Sequence, residues 1–264
     1  MAVLTINKLT KSFGGLTAVF DANIEIFSNE LVGIIGPNGS GKTTLFNLIT
    51  GVYVPTFGDI TFKTKNGKQK LRGLKPYDIC KKGIARTFQN IRLFKDLTVL
   101  DNVRIAMHKD VGYGIFTSII HGRQFNIEEQ RIEAESIELL KLLGLDGKRD
   151  EIAGSLPYGE QRHLEIARAL ATKPSVLLLD EPAAGMNPVE TDELSALVCN
   201  IKERFNLTIL LIEHDMSLVM RICERIYVLD YGKIIAKGTP SQIKSDKRVI
   251  AAYLGEELTD DREW

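Results

Sequence analysis

No apolar run in this sequence approaches the ~20 residues that a membrane-spanning helix needs, although 44% of its 264 residues are hydrophobic. Cysteine is scarce as well. The three thiols, Cys80, Cys199 and Cys223, show no C-x-x-C spacing and no histidine neighbours suited to zinc, and read as buried or incidental thiols of a reducing cytoplasm. Nor is there an excess of charge of either sign. Thirty-four basic residues balance thirty-four acidic ones, so no global field recruits nucleic acid or anionic lipid. The opening Met1-Ala2-Val3-Leu4-Thr5 lacks the basic segment and apolar stretch of a secretory signal. The expectation is a chain that is not exported and does not itself cross a membrane. Its length suits one large domain or a core with an inserted subdomain.

What is present is a phosphate loop. Gly36-Pro37-Asn38-Gly39-Ser40-Gly41-Lys42-Thr43 follows a short apolar run, Leu31 to Ile35, and opens into Thr44 to Thr50 before Gly51, the strand, glycine loop and helix order that G-x-x-x-x-G-K-[ST] requires. A triphosphate needs several converging donors. Backbone N–H groups at a helix N-terminus supply them where no β-carbon blocks the approach, hence Gly36, Gly39 and Gly41. Lys42 can reach the β- and γ-phosphates, and the Thr43 hydroxyl can sit on the accompanying Mg²⁺. With glycine at ~7% of residues, the four fixed positions arise by chance in roughly one chain of this length in a hundred. The flanking strand and helix lower that further.

Along the chain, Val3 to Ile6 reads as strand-like, and Asn23 to Phe27 and Gly58 to Lys63 alternate apolar with polar positions, as antiparallel strands with one wet face do. Ser12-Phe13-Gly14-Gly15 reads locally as a turn beside a core phenylalanine. From about 90 to 154 the character is helical, with Thr98 to Met107 and Ile127 to Leu143 as helices. Ile132, Ile137, Leu139, Leu140 and Leu143 are the apolar candidates of the second, and between the two lies the glycine-marked segment Gly112 to Ile120. Strand and helix alternation resumes with Val176 to Leu179, a helix announced by Asn187-Pro188-Val189-Glu190 (cap, first-turn proline and capping-box position), and Thr208 to Ile212. Such alternation implies a parallel sheet with active groups at the strands' carboxyl ends. Tyr227 to Ile235 reads as a hairpin around Gly232, and Gly238 to Trp264 as a short helical tail with an acidic end. The layout is mixed α/β: residues 1–90 and 155–238 as core, 91–154 as an inserted helical subdomain, and 239–264 as an extension.

Two constellations stand at strand ends. Asp180-Glu181 beside a phosphate site can divide the labour, one carboxylate holding Mg²⁺ and the other taking a proton from water. His214 occupies the equivalent end of the next strand, where a γ-phosphate contact is expected. Leu156-Pro157-Tyr158-Gly159-Glu160 leads into a helix whose N-terminus is a second anion-binding end, and a second half-site suggests a second copy.

Together these residues resemble the ABC-type ATPases over about 4–238: the phosphate loop through Thr44, Gln89, Leu156 to Gln161, Val176 to Glu181, and His214 fall in that family's order and spacing. The resemblance implies a RecA-like P-loop NTPase core with an antiparallel β subdomain and an inserted α-helical subdomain. It implies a head-to-tail dimer, homomeric or with a paralogue, that sandwiches two ATP-Mg²⁺. It also assigns roles: Phe13 to adenine stacking, Pro37, Asn38, Ser40 and Thr44 to ATP with the loop glycines, Gln89 with Thr43 and Asp180 to Mg²⁺, Glu181 to general base, His214 and Lys42 to the γ-phosphate, and Leu156 to Glu160 to the nucleotide of the other copy. Pro157 and Tyr158 depart from the family's Ser and first Gly, and Asn187 stands where Asp is usual. Arg86 to Asn90, Leu156 to Arg162, Glu181 to Pro188 and Ala252-Tyr253-Leu254-Gly255 are similar to the branched-chain amino acid importer branch. That likeness implies a peripheral ATPase at the cytoplasmic face of the cell membrane, partnered with integral-membrane permeases and, indirectly, an extracytoplasmic solute-binding protein. The family also holds urea importers, lipid and lipopolysaccharide exporters and non-transport ATPases acting on ribosomes or DNA.

Overall fold

The computed structural model describes residues 2–64, 67–108 and 123–254. The chain divides into two compact units, Met1–Ile84 with Ser175–Trp264, and Ala85–Pro174.

The first unit carries two sheets. β1 (Ala2–Phe13) and β2 (Leu16–Phe27) form a long hairpin, and β4 (Phe57–Thr64) and β5 (Gly67–Lys70) extend it in the order β2-β1-β4-β5. Its pairs are antiparallel. From Ala22 to Phe27 buried and exposed residues alternate strictly, which is the one-wet-face pattern read from the isoleucines. The second sheet is built on β3 (Leu31–Ile35), β7 (Val176–Asp180) and β8 (Thr208–Ile212), each buried along its whole length. Full burial explains their uninterrupted apolar sequences. β8 and β9 (Arg225–Asp230) flank β3 in parallel, β7 pairs with β8 in parallel, and β10 (Lys233–Gly238) returns antiparallel on β9 through Tyr231-Gly232. The order is β10-β9-β3-β8-β7-β6, the edge strand β6 (Ile84–Arg86) carrying the chain out of this unit.

The helix α1 (Lys42–Ile49) follows β3. One buried cluster joins Leu4, Ile24 and Phe62 of the antiparallel sheet to Phe46 and Ile49 of α1 and to Ile34, Leu178 and Leu210 of the parallel one. That shared core fixes the loop between β3 and α1 from both sides. The short α2 (Pro76–Lys82) was missed, although a proline in its first turn and a left-handed Gly83 at its end mark its two boundaries.

In the second unit, α3 (Val99–Met107) starts on Thr98, whose hydroxyl accepts from the Asp101 amide at 3.0 Å. It is followed by α4 (Arg123–Leu142) and α5 (Tyr158–Ala171). The unit runs past the expected 91–154 at both ends and includes α5. On α4, Ile132 and Leu140 are buried as read, as is Leu143 just past its end, but Ile137 and Leu139 are only half-buried. Ser136 takes the inward position between Ile132 and Leu140: its hydroxyl donates to the Ile132 carbonyl at 2.7 Å and so needs no water. The segment Gly112 to Ile120 lies outside the described residues.

Back in the first unit, α6 (Pro188–Phe205) begins with both halves of the capping box. Asn187 Oδ1 accepts from the Val189 and Glu190 amides at 2.9 and 3.0 Å, and Glu190 accepts from the Asn187 amide at 2.8 Å. Asn and Asp cap equally well, so Asn187 serves this position as an Asp would. Asn187→Ala should lower stability by about 1 kcal/mol, read as a shift of the urea midpoint with an unchanged slope. α7 (Met216–Ile222), α8 (Pro240–Ser245) and α9 (Lys247–Leu254) complete the unit. Among the described residues no helix is long and apolar enough to cross a membrane.

Candidate functional site

The site of the first unit lies where β3, β7 and β8 end. Parallel strands present their carboxyl ends on one edge, and here those ends lead into Gly36, Glu181 and Glu213-His214 in turn.

Two of the loop glycines are required by close backbone approach. A β-carbon on Gly36, at φ +150°, would lie 1.9 Å from the Leu229 carbonyl oxygen, and one on Gly41, at φ +107°, 2.3 Å from that of Ala18. The turn between β9 and β10 braces the same loop, because the Gly232 amide donates to the Ser40 carbonyl at 2.9 Å. Lys42 is buried and its ammonium donates to the carbonyls of Gly36 and Pro37 at 2.8 and 2.9 Å. Burial pushes its pKa below the usual lysine range, and the carboxylates of Glu181 and Asp180 oppose that shift. Ser40 Oγ is buried with no hydrogen-bond partner among the described residues. A glycine cradle, a buried cation and an orphaned hydroxyl at a helix N-terminus together fit a polyphosphate. Asn38, Gly39 and Thr43 are exposed, with Pro37 and Thr44 half-buried. The Thr43 hydroxyl and the Asp180 carboxylate offer the hard oxygen ligands that Mg²⁺ prefers.

Asp180 and Glu181 are both buried. Glu181 holds φ +48°, a left-handed conformation uncommon outside glycine, and its amide donates to the Ile212 carbonyl at 2.9 Å. The bend aims its side chain at the next strand's end, where His214 Nε2 lies 2.6 Å from Glu181 Oε1. Glu213, which the sequence reading passed over, stands behind this pair. Its buried carboxylate accepts from the Ala183 amide at 2.7 Å and the His214 amide at 3.0 Å. Burial raises its pKa, and the backbone amides of Ala183, His214 and Asp215 offset part of the rise. A carboxylate directly after a fully buried strand is the signal that could have found it.

Phe13 corrects the local reading. It is 42% exposed rather than a core residue, because the Gly14-Gly15 turn carries it to the tip of the β1–β2 hairpin. Its ring meets Tyr53 edge-on at 5.1 Å, and Lys11 Nζ lies 4.8 Å from its centre. Tyr253, in the stretch similar to the importer branch, has its phenol pKa raised by burial, with the backbone of Gly36 opposing the rise.

The second unit holds the remaining residues read from the sequence. Gln89 is exposed. Leu156 is buried, Pro157 is the cap residue of α5 without a capping side chain, Tyr158 is exposed, and Glu160 is paired with Lys148 at 2.7 Å. Gly159 lies in the first turn of α5.

The profile of the ABC transporter family matches residues 19–184, and that of the branched-chain amino acid ATP-binding cassette transporters matches residues 233–259. The chain belongs to the ABC transporter family: it is a P-loop ATP-binding cassette, an ATPase by class, and it binds nucleotide. It is 45% identical over 254 residues, 96% of its own length and 98% of the relative's, to the high-affinity branched-chain amino acid transport ATP-binding protein LivG of Escherichia coli K12. Among solved structures it is similar to MJ1267, an ATP-binding cassette of an ABC transporter in its ADP conformation, with a TM-score of 0.81 and 31% identity over 97% of this chain and all of that one. It is also similar to the dimeric ATP-binding cassette MJ0796 bound to ADP and Pi, with a TM-score of 0.74 and 25% identity over 90% of this chain and 98% of that one.

Proposed function

We propose that this chain is the ATP-hydrolysing subunit of an importer for leucine, isoleucine and valine, peripheral to the cytoplasmic face of the membrane and bound to integral-membrane permeases. The observation that carries the hydrolytic part is the 2.6 Å contact of His214 with Glu181 on the strand edge that also bears Lys42. Glu181 takes a proton from the attacking water. His214 orients that carboxylate and, with Lys42, meets the charge that develops on the γ-phosphate. Thr43 and Asp180 would hold Mg²⁺, with Gln89 assigned to it by family likeness alone, and the ion would neutralise phosphate charge. Gly36 to Thr44 cradle the phosphates, and Phe13 stacks on adenine. The exposed first turn of α5, with Gly159, addresses the nucleotide of a second copy or a paralogue, which the dimeric relative MJ0796 supports. The cargo reading is supported by the relative LivG and by the match at residues 233–259.

The test is purification of the tagged chain from membranes, identification of its partners, and ATPase assay of the reconstituted complex with leucine-loaded binding protein. Stimulation by leucine, isoleucine and valine, and not by urea or lipopolysaccharide, is the expected result. Co-purification with ribosomes or DNA in place of permeases would overturn it.

A further inference from the structure

Helix α5 presents Arg162, Glu165 and Arg168 at intervals of three residues, hence on one face, and that face holds the segment from Phe88 to Phe94. Arg162 is completely buried. Its guanidinium donates to the carbonyls of Phe88 at 2.6 Å and Gln89 at 2.9 Å, and to Glu165 at 2.7 Å. Glu165, also buried, accepts from the amides of Phe88 and Arg92, both at 3.2 Å. Arg168 reaches the Arg92 carbonyl and lies over the Phe94 ring at 4.8 Å. The far end is tied in turn, because Asn102 exchanges hydrogen bonds with the Phe94 amide and carbonyl at 3.0 and 2.9 Å.

A buried ion pair is an expensive way to stabilise a helix, since desolvation cancels much of the attraction. Its use here is geometric. The planar fork of arginine reads two successive carbonyls at once, which a lysine or an apolar residue cannot do. Backbone groups are held, so the grip does not depend on which side chains the loop carries.

We propose that Arg162 and Glu165 are positioning residues that fasten the backbone of the Gln89 loop to α5, so that the loop and the helix that bears Gly159 move as one body. This rests on the transporter reading above. Neither residue touches nucleotide in that reading; their effect is on coupling.

The test compares the wild-type chain with Glu165→Gln and with the milder Arg162→Lys, which keeps the charge and loses the fork. In the purified full chain, amide hydrogen exchange is followed over 88–92 and over α5, together with KM for MgATP. In the reconstituted complex, stimulation by leucine-loaded binding protein is measured. The expected result is exchange at least tenfold faster at 88–92 with α5 still protected, KM within twofold of wild type, and stimulation reduced at least fivefold, with Arg162→Lys intermediate. Unchanged exchange at 88–92, equal loss of protection along α5, or full stimulation in Glu165→Gln would each overturn the proposal. A wild-type complex without stimulation would instead overturn the transporter reading, and the exchange measurement would still decide the clamp.

Discussion

Glu181→Gln lowers kcat for ATP hydrolysis by about 10²–10⁴-fold, the usual contribution of a positioned general base, and leaves ATP binding intact. The amide matches the carboxylate in size and can keep the contact to His214 now seen at 2.6 Å, but it cannot accept the proton of the attacking water. Binding without turnover should trap the ATP-bound assembly, so size-exclusion chromatography of the variant with MgATP should show a dimer that ADP does not support. Undiminished turnover, or a species that stays monomeric with ATP, would remove Glu181 from the role assigned to it.

The second large effect is that of Gly36→Ala. The added carbon would sit 1.9 Å from the Leu229 carbonyl oxygen and 2.8 Å from Ser40 Oγ. Leu229 cannot retreat cheaply, since β9 is hydrogen-bonded to β3 on one side and β10 on the other. The loop must therefore deform. The expected outcome is a loss of at least about 3 kcal/mol of stability, in the range reserved for severe backbone and packing conflicts, and ATP affinity reduced more than a hundredfold. Gly39→Ala provides the contrast. At φ +79° with open space around the new carbon, it incurs only the ~1–2 kcal/mol of a left-handed alanine. Thermal melts and nucleotide titration of the two variants should separate them widely; similar losses would mean that the approach to Leu229 does not govern the loop.

Much of this arrangement is legible in the sequence because the relevant signals are local. The loop from Gly36 to Thr43, the continuous apolar strands ending at Asp180 and Ile212, and the cap at Asn187 each satisfy a backbone requirement with residues adjacent in sequence. What escaped depends on partners far along the chain. Glu213 acquires its role only because Ala183, thirty residues earlier, offers it an amide. Phe13 resembles any core aromatic until the hairpin places it at a tip. On α4 a serine displaces the expected leucine from the core face because it can bond back to its own helix, a competition that hydrophobic periodicity does not register.

The Gly36 backbone acts on the Tyr253 phenol, opposing the rise that burial gives its pKa, which places α9 near the residue that starts the nucleotide cradle. A fusion tag or truncation near residue 253 should be checked for its effect on nucleotide affinity. Assays of this chain should therefore carry any affinity handle at the other terminus.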